Sequence, residues 1–148
     1  MDFQSMSKQR KFILIAAGIG IIGMFLPWVD IGFISANGMH GVGILLFLCF
    51  LGCGILSLLG DQKSNLNSTY WMLTLIFSAL IALIMIIKFL DIPSGAYGII
   101  GYGFYVALLS SVAIALACYM FRAPGQTIKS GFDSLKNDID SKTKSGTP

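Results

Sequence analysis

The sequence predicts an all-α integral membrane protein, a bundle of four transmembrane helices followed by an amphipathic C-terminal tail. Three observations predict it. Of 148 residues, 55% are hydrophobic and 11% charged, with a mean hydropathy of +0.80, whereas soluble globular domains carry roughly 25% charged residues. The apolar residues gather in four runs, about Phe12 to Val29, Val42 to Leu59, Trp71 to Leu90 and Ile99 to Phe121. Each approaches the roughly 20 residues that cross about 30 Å of hydrocarbon as a helix. The basic residues fall on alternate connections: Lys8, Arg10 and Lys11 before the first run, Lys63 after the second, and Arg122, Lys129, Lys136, Lys142 and Lys144 after the fourth. The connections after the first and third runs hold no Lys or Arg, so the positive-inside rule places both termini and the middle loop in the cytoplasm. The expected organisation is a cytoplasmic segment at 1–11, a transmembrane domain at 12–121 and a cytoplasmic tail at 122–148, amphipathic helix first and disorder from Ser141 onward.

Composition also excludes several classes. A net charge of +3 is divided between a short head and a tail, with no folded basic surface between them, so no nucleic-acid partner is expected. Cys49, Cys53 and Cys118 all lie inside proposed spans and imply no disulfide framework. The basic head and first apolar run imitate a secretory signal, but three further runs and the lack of a small-x-small cleavage site favour an uncleaved first helix.

Within that helix Gly18, Gly20 and Gly23 spell G-x-G-x-x-G. A dinucleotide fingerprint needs a preceding strand and a helix that opens at the motif, and this one lies in mid-span. Ala16, Gly20, Gly23 and Pro27 instead make a small-residue stripe that lets a neighbouring helix approach closely. Similar stripes recur as Cys49, Cys53 and Ser57, as Thr74, Ser78 and Ala82, and as Gly103, Ala107, Ser111 and Ala115. Four helices, each with one small face, predict a compact bundle with lipid outside, and short connections predict up-down-up-down neighbours.

The middle loop, 61–69, is polar, with Tyr70 and Trp71 at the expected membrane boundary. Its Asn67-Ser68-Thr69 sequon faces the cytoplasm in this topology and is expected to carry no sugar. After Pro124 and Gly125, Ile128, Phe132, Leu135 and Ile139 step by four, three and four, which places them on one helical face. That face suits lipid or a protein partner, the alternative being a disordered tail; Gly131 weakens such a helix by about 1 kcal/mol relative to Ala.

The outer connections carry the remaining chemistry. The first contains Asp30 and Ile31, then Gly38, Met39, His40 and Gly41; the second contains Asp91 and Ile92, then Gly95, Ala96, Tyr97 and Gly98. Both read D-I, a gap, then G-x-aromatic-G, which suggests two related helical hairpins. With Lys88 these connections supply a candidate outer-face polar cluster of Asp30, His40, Lys88, Asp91 and Tyr97. Lys88 either snorkels to the interface and pairs with Asp91 three residues on, or crosses to Asp30. One histidine without a second, an HExxH or a CxxC gives no metal set, and no nucleophile-base pattern or phosphate loop is present. No catalytic residue, metal or cofactor is expected.

Leu26, Pro27, Trp28 and Val29 at the end of a first helix, followed by the Gly38-Met39-His40-Gly41 turn, resemble small four-helix bacterial inner-membrane proteins of unassigned function. The resemblance implies a multi-pass protein of the bacterial inner membrane and supplies no catalytic residues. Two functions remain open on the sequence. One is a non-catalytic protein acting by contact, as accessory subunit, assembly factor, regulator or immunity-type protein, with the lipid bilayer and a membrane-protein partner or a second copy as its partners. The other is a small oligomeric transporter or channel subunit, against which no span carries an acidic residue at mid-depth. The topology has a direct readout: in cells with an intact inner membrane, an impermeant thiol reagent is expected to label Ser35→Cys and to leave Ser64→Cys unlabelled, and the reverse pattern inverts the orientation.

Overall fold

The computed structural model describes residues 3–146. It is mostly helical, with α1 at Lys8–Phe25, a hairpin of β1 at Pro27–Asp30 and β2 at Ser35–Asn37, then α2 at Val42–Leu58, α3 at Ser68–Leu90, α4 at Tyr102–Met120 and α5 at Ile128–Ser145. Single 3₁₀ turns occur at Phe3–Ser5 and Tyr97–Ile99. The helical expectation holds, and the hairpin is an addition to it. Leu26 is already extended, at φ −74° and ψ 157°, because a residue before proline is driven out of the helical region. The first apolar run therefore ends as strand, and α1 stops at Phe25.

α1 packs against α2 and α4, and α3 packs against the same two helices, so the four close a ring in up-down-up-down order. Small residues face inward as their spacing predicts: Ala16, Gly20 and Gly23 on α1, Cys49, Cys53 and Ser57 on α2, Thr74 and Ser78 on α3, and Gly103, Ala107 and Ser111 on α4 are buried. A Cβ on Gly23 would stand 3.1 Å from the Ala107 amide nitrogen and 3.3 Å from the Gly103 carbonyl oxygen. Gly20 faces the fully buried ring of Phe50, which a side chain there would strike. Large apolar residues point the other way, among them Ile15, Ile19 and Ile22 on α1, Leu80, Leu83 and Ile87 on α3, and Leu109, Val112 and Leu116 on α4.

α3 and α4 are long and apolar enough to cross a membrane. α2 is apolar but shorter, at 17 residues. α1 has 18 residues, of which the first turn contains Lys8, Arg10 and Lys11. Of the four expected spans, two are helices long and apolar enough to cross a membrane by length and composition. The two outer connections also differ, strand pairing in the first and a 3₁₀ turn in the second, so the D-I and G-x-aromatic-G copies do not fold as equivalent loops.

The end of the ring holding the start of α1 is closed by buried polar side chains. Arg10, 2% exposed, donates from Nε to the Ser64 carbonyl at 2.9 Å and from Nη1 to the carbonyls of Ser57, at 3.0 Å, and Leu59. Ser57 and Leu59 lie where α2 ends, so the guanidinium serves carbonyls that the helix leaves unpaired, at the negative end of its dipole. Gln9, fully buried, accepts from the Leu66 amide at 3.0 Å and donates to the Cys118 carbonyl at 3.3 Å. The Trp71 indole donates to the same Cys118 oxygen at 2.8 Å. Gln126 donates to the Leu66 carbonyl at 2.8 Å, and Asn65 donates to the Phe121 carbonyl at 3.0 Å. The middle loop is thereby strapped to α1, α4 and the segment that leads into α5.

α5 opens on a capping box between Thr127 and Ser130 and docks on the first turns of α3. A Cβ on Gly131 would lie 3.1 Å from the Trp71 ring, and Thr69 donates to the Asp138 carboxylate at 2.9 Å. The helix continues through Ser145, correcting the expectation of disorder from Ser141; Lys142 and Lys144 in its last turn suit the negative end of its dipole. Residues 147–148 lie outside the described residues. Removing the α2 cap has a measurable consequence: Arg10→Met leaves the Ser57, Leu59 and Ser64 carbonyls without their donor and is expected to destabilise the protein by about 3 kcal/mol. Arg10→Lys recovers part of this, because an ammonium carries the charge without the fork. Melting of the Met variant at the wild-type temperature in detergent would show that water replaces the guanidinium.

Candidate functional site

The opposite end of the ring is built on Trp28. Its indole N–H donates to the Gly23 carbonyl at 2.9 Å, and the Gly38 amide donates to the Met24 carbonyl at 2.9 Å. Two carbonyls at the end of α1 thus receive donors from the hairpin. The Trp28 ring meets Phe104 edge-on at 5.3 Å and 84°, a favoured aromatic geometry. Phe104 stacks on Phe89 at 6.3 Å, and Phe89 meets Tyr97 at 5.5 Å. β1 also binds the second connection: Val29 bridges Ile100, and the Gly101 amide donates to the Trp28 carbonyl at 2.8 Å. Glycine is required beside this contact, because a Cβ on Gly103 would fall 2.7 Å from that of Leu26.

These contacts frame a cavity of about 540 Å³ between β1, the outer ends of α2 and α3, and the start of α4. Trp28, Leu46, Ile84, Ile100 and Phe104 form apolar walls, and Lys88 and His40 are its ionisable lining residues. α2 starts at the same place, with Gly41 as its N-cap at φ +57° and no side-chain cap. The Gly43 and Ile44 amides donate to the His40 and Gly41 carbonyls at 3.0 and 3.3 Å, so the site is an apolar hollow with the Lys88 and His40 side chains at its margin.

Of the five residues expected to cluster on the outer face, the structure brings His40 and Lys88 to this cavity and leaves Asp30, Asp91 and Tyr97 off its lining. Asp30 accepts from the Gly32 amide at 2.9 Å, a local turn contact of the kind short acidic side chains make. Asp91 is the exposed C-cap residue of α3, and Tyr97 is half-exposed against Phe89. Among the described residues Lys88 pairs with neither Asp91 nor Asp30. Both expected pairings are corrected by exposure: in water such pairs gain about 0–1 kcal/mol. Among the described residues no three His, Cys, Asp or Glu side chains gather as a metal set.

The tail face is also placed. Ile128, Phe132 and Ile139 are 61%, 58% and 57% exposed, and Leu135 is half-buried. Docking on α3 uses Gly131 and Asp138 instead, which lie about a quarter turn around the helix from that face. The apolar stripe of α5 is therefore beside the docked face and open. The sequence reading missed Gln9, Arg10 and Gln126. A signal was present in the polar Gln9 and basic Arg10 one residue apart at a helix start, but charge counting assigns such residues to topology alone.

The chain matches no protein-family model, no curated protein and no solved structure. The unpaired state of the outer charges sets an expectation of its own: Lys88→Met and Asp91→Asn should each leave unfolding within about 0.5 kcal/mol of wild type. A larger loss in the Lys88 variant, measured by thermal melts in detergent, would restore the shared ion pair.

Proposed function

We propose that the chain is a multi-pass membrane protein with four spans, sited in a bacterial inner membrane, which acts by contact and not by catalysis. What supports the membrane placement is the distribution of side chains: small and hydroxyl residues at the helix contacts, beside buried Phe50, Ile81 and Ile114, and many further Ile and Leu side chains turned outward. The buried hydroxyls suit lipid surroundings because they are satisfied within their own helices, Ser57 on Gly54, Thr74 on Tyr70, Ser78 on Leu75, Ser110 on Val106 and Ser111 on Leu108. α1 joins the spans through its first turn, since Arg10 is folded in among carbonyls and Lys8 and Lys11 reach the boundary. The basic residues then put the Arg10 end, the middle loop and α5 in the cytoplasm.

The observation that carries the contact reading is α5. It is fixed to α3 on one face, while the adjacent face of Ile128, Phe132 and Ile139 is open. Such a helix lies along the cytoplasmic boundary with Trp71 and Met72 at its side, its apolar stripe available to the bilayer surface and to a membrane-protein partner. Accessory subunit, assembly factor, regulator and immunity-type protein are the roles this arrangement suits. Phe132→Asp together with Ile139→Asp puts charge on that stripe and leaves the Gly131 contact intact. Tagged wild-type chain extracted in mild detergent is expected to bring down one stoichiometric membrane partner, and the double variant to lose it with an unchanged melt. Self-association with ion or solute flux in liposomes would replace contact by transport.

A further inference from the structure

We propose that the cavity at the hairpin end is a binding site for one anionic phospholipid, its phosphate held between Lys88 and His40 and one acyl chain laid along Leu46, Ile84 and Phe104. The inference rests on the membrane placement above and names a ligand for the outward-facing end. Its volume of about 540 Å³ falls in the roughly 300–1,000 Å³ range of small-ligand sites. The walls are apolar, and the ionisable groups lining it are Lys88 and His40, with no acid among the lining residues. Lys88 is exposed and pairs with neither Asp91 nor Asp30 among the described residues, so its ammonium is available to an anion. α2 begins alongside at Gly41 and Val42, both on the cavity, but its Gly43 and Ile44 amides already donate to the His40 and Gly41 carbonyls at 3.0 and 3.3 Å, so the donors offered to an anion are the side chains. Ammonium and imidazole N–H together fit a phosphate diester better than a neutral headgroup.

The position selects a lipid over a soluble ligand. α2 and α3 have the sparsest packing of the four neighbouring helix pairs, and the cavity lies between their outer ends with Leu46 and Ile84 as facing walls. Val42, Leu45 and Ile87 nearby are turned outward. A lipid approaching from the outer leaflet meets apolar surface first and charge at the depth of its own headgroup, since Lys88 lies in the last turn of α3.

The test uses the full chain reconstituted in nanodiscs containing equal phosphatidylglycerol and phosphatidylcholine, released into native mass spectrometry. Wild type is expected to retain one phosphatidylglycerol with about fivefold preference, the factor a single basic residue contributes at a membrane surface. Lys88→Met should reduce the preference to parity, and His40→Gln should lower it. Leu46→Trp, which fills the cavity, should abolish retention of either lipid; Ile84→Trp serves the same purpose if the first variant does not fold. Equal retention by wild type, an unchanged preference in Lys88→Met, or displacement of the lipid by inorganic phosphate alone would overturn the proposal. Failure of the membrane placement reads differently: the wild-type chain would leave membranes in alkaline carbonate without detergent.

Discussion

A guanidinium surrounded by carbonyl oxygens holds together the end of the helix ring where α1 begins. Arg10 reaches Ser57 and Leu59, where α2 ends, and Ser64 in the following loop, so one side chain joins α1, α2 and the middle loop. A helix leaves its last four carbonyls without internal partners, and a ring of helices ending at one level collects several such sets. Arg10, Gln9 and Asn65 supply donors to them, Gln126 serves the loop carbonyl of Leu66, and no buried side-chain nitrogen or oxygen among the described residues is left without a partner. The Leu66 peptide shows how closely this is arranged, its N–H given to Gln9 and its C=O taken by Gln126. The loop is fixed in place although its own residues are mostly polar and short.

Closure at the other end uses a different chemistry. There the chain supplies backbone and an aromatic side chain, with Trp28 donating to Gly23, Gly38 donating to Met24 and Gly101 donating to Trp28. Between the two ends the helices touch through Gly23, Gly103 and Ala107 on one side and through Phe50 over Gly20 on another. Close approach of this kind gains dispersion energy from backbone packed directly on backbone. Small residues at the helix contacts, hydrogen-bonded closure at the two ends and many large apolar residues turned outward recur in all four helices of the ring.

The helices and their inward faces were legible in the sequence because composition and i, i+4 spacing are local signals. Ala16, Gly20 and Gly23 are buried as that spacing requires, and the amphipathic period from Ile128 to Ile139 is a helix. The β1–β2 pairing was less legible, since Pro27 to Asn37 is short and its register rests on Val29 meeting both Ala36 and Ile100, the latter 71 residues away by number. The polar cluster was read from residue type alone, and type does not say whether Asp30 turns to Gly32 or to Lys88. Arg10 was counted for topology, and its capping role depends on where α2 ends in space. Asn67 gave a similar lesson: the sequon asparagine is the N-cap of α3, accepting from the Ser68 amide at 2.8 Å.

The strapping of Leu66 also imposes an order in time. Arg10 can engage Ser57 and Leu59 as soon as the first two helices and the middle loop have been made, because every partner lies within the N-terminal part of the chain. Gln9 cannot finish its pair of bonds until Cys118 has arrived, and the second bond to Leu66 waits for Gln126. Contacts so distant in sequence form late and after greater loss of chain freedom than local ones. The ribosome therefore delivers a half-protein in which Arg10 already caps α2 and Gln9 already holds the Leu66 amide, while the Gln9 amide N–H still lacks its acceptor, and the arrival of α4 and the segment after it completes the bundle.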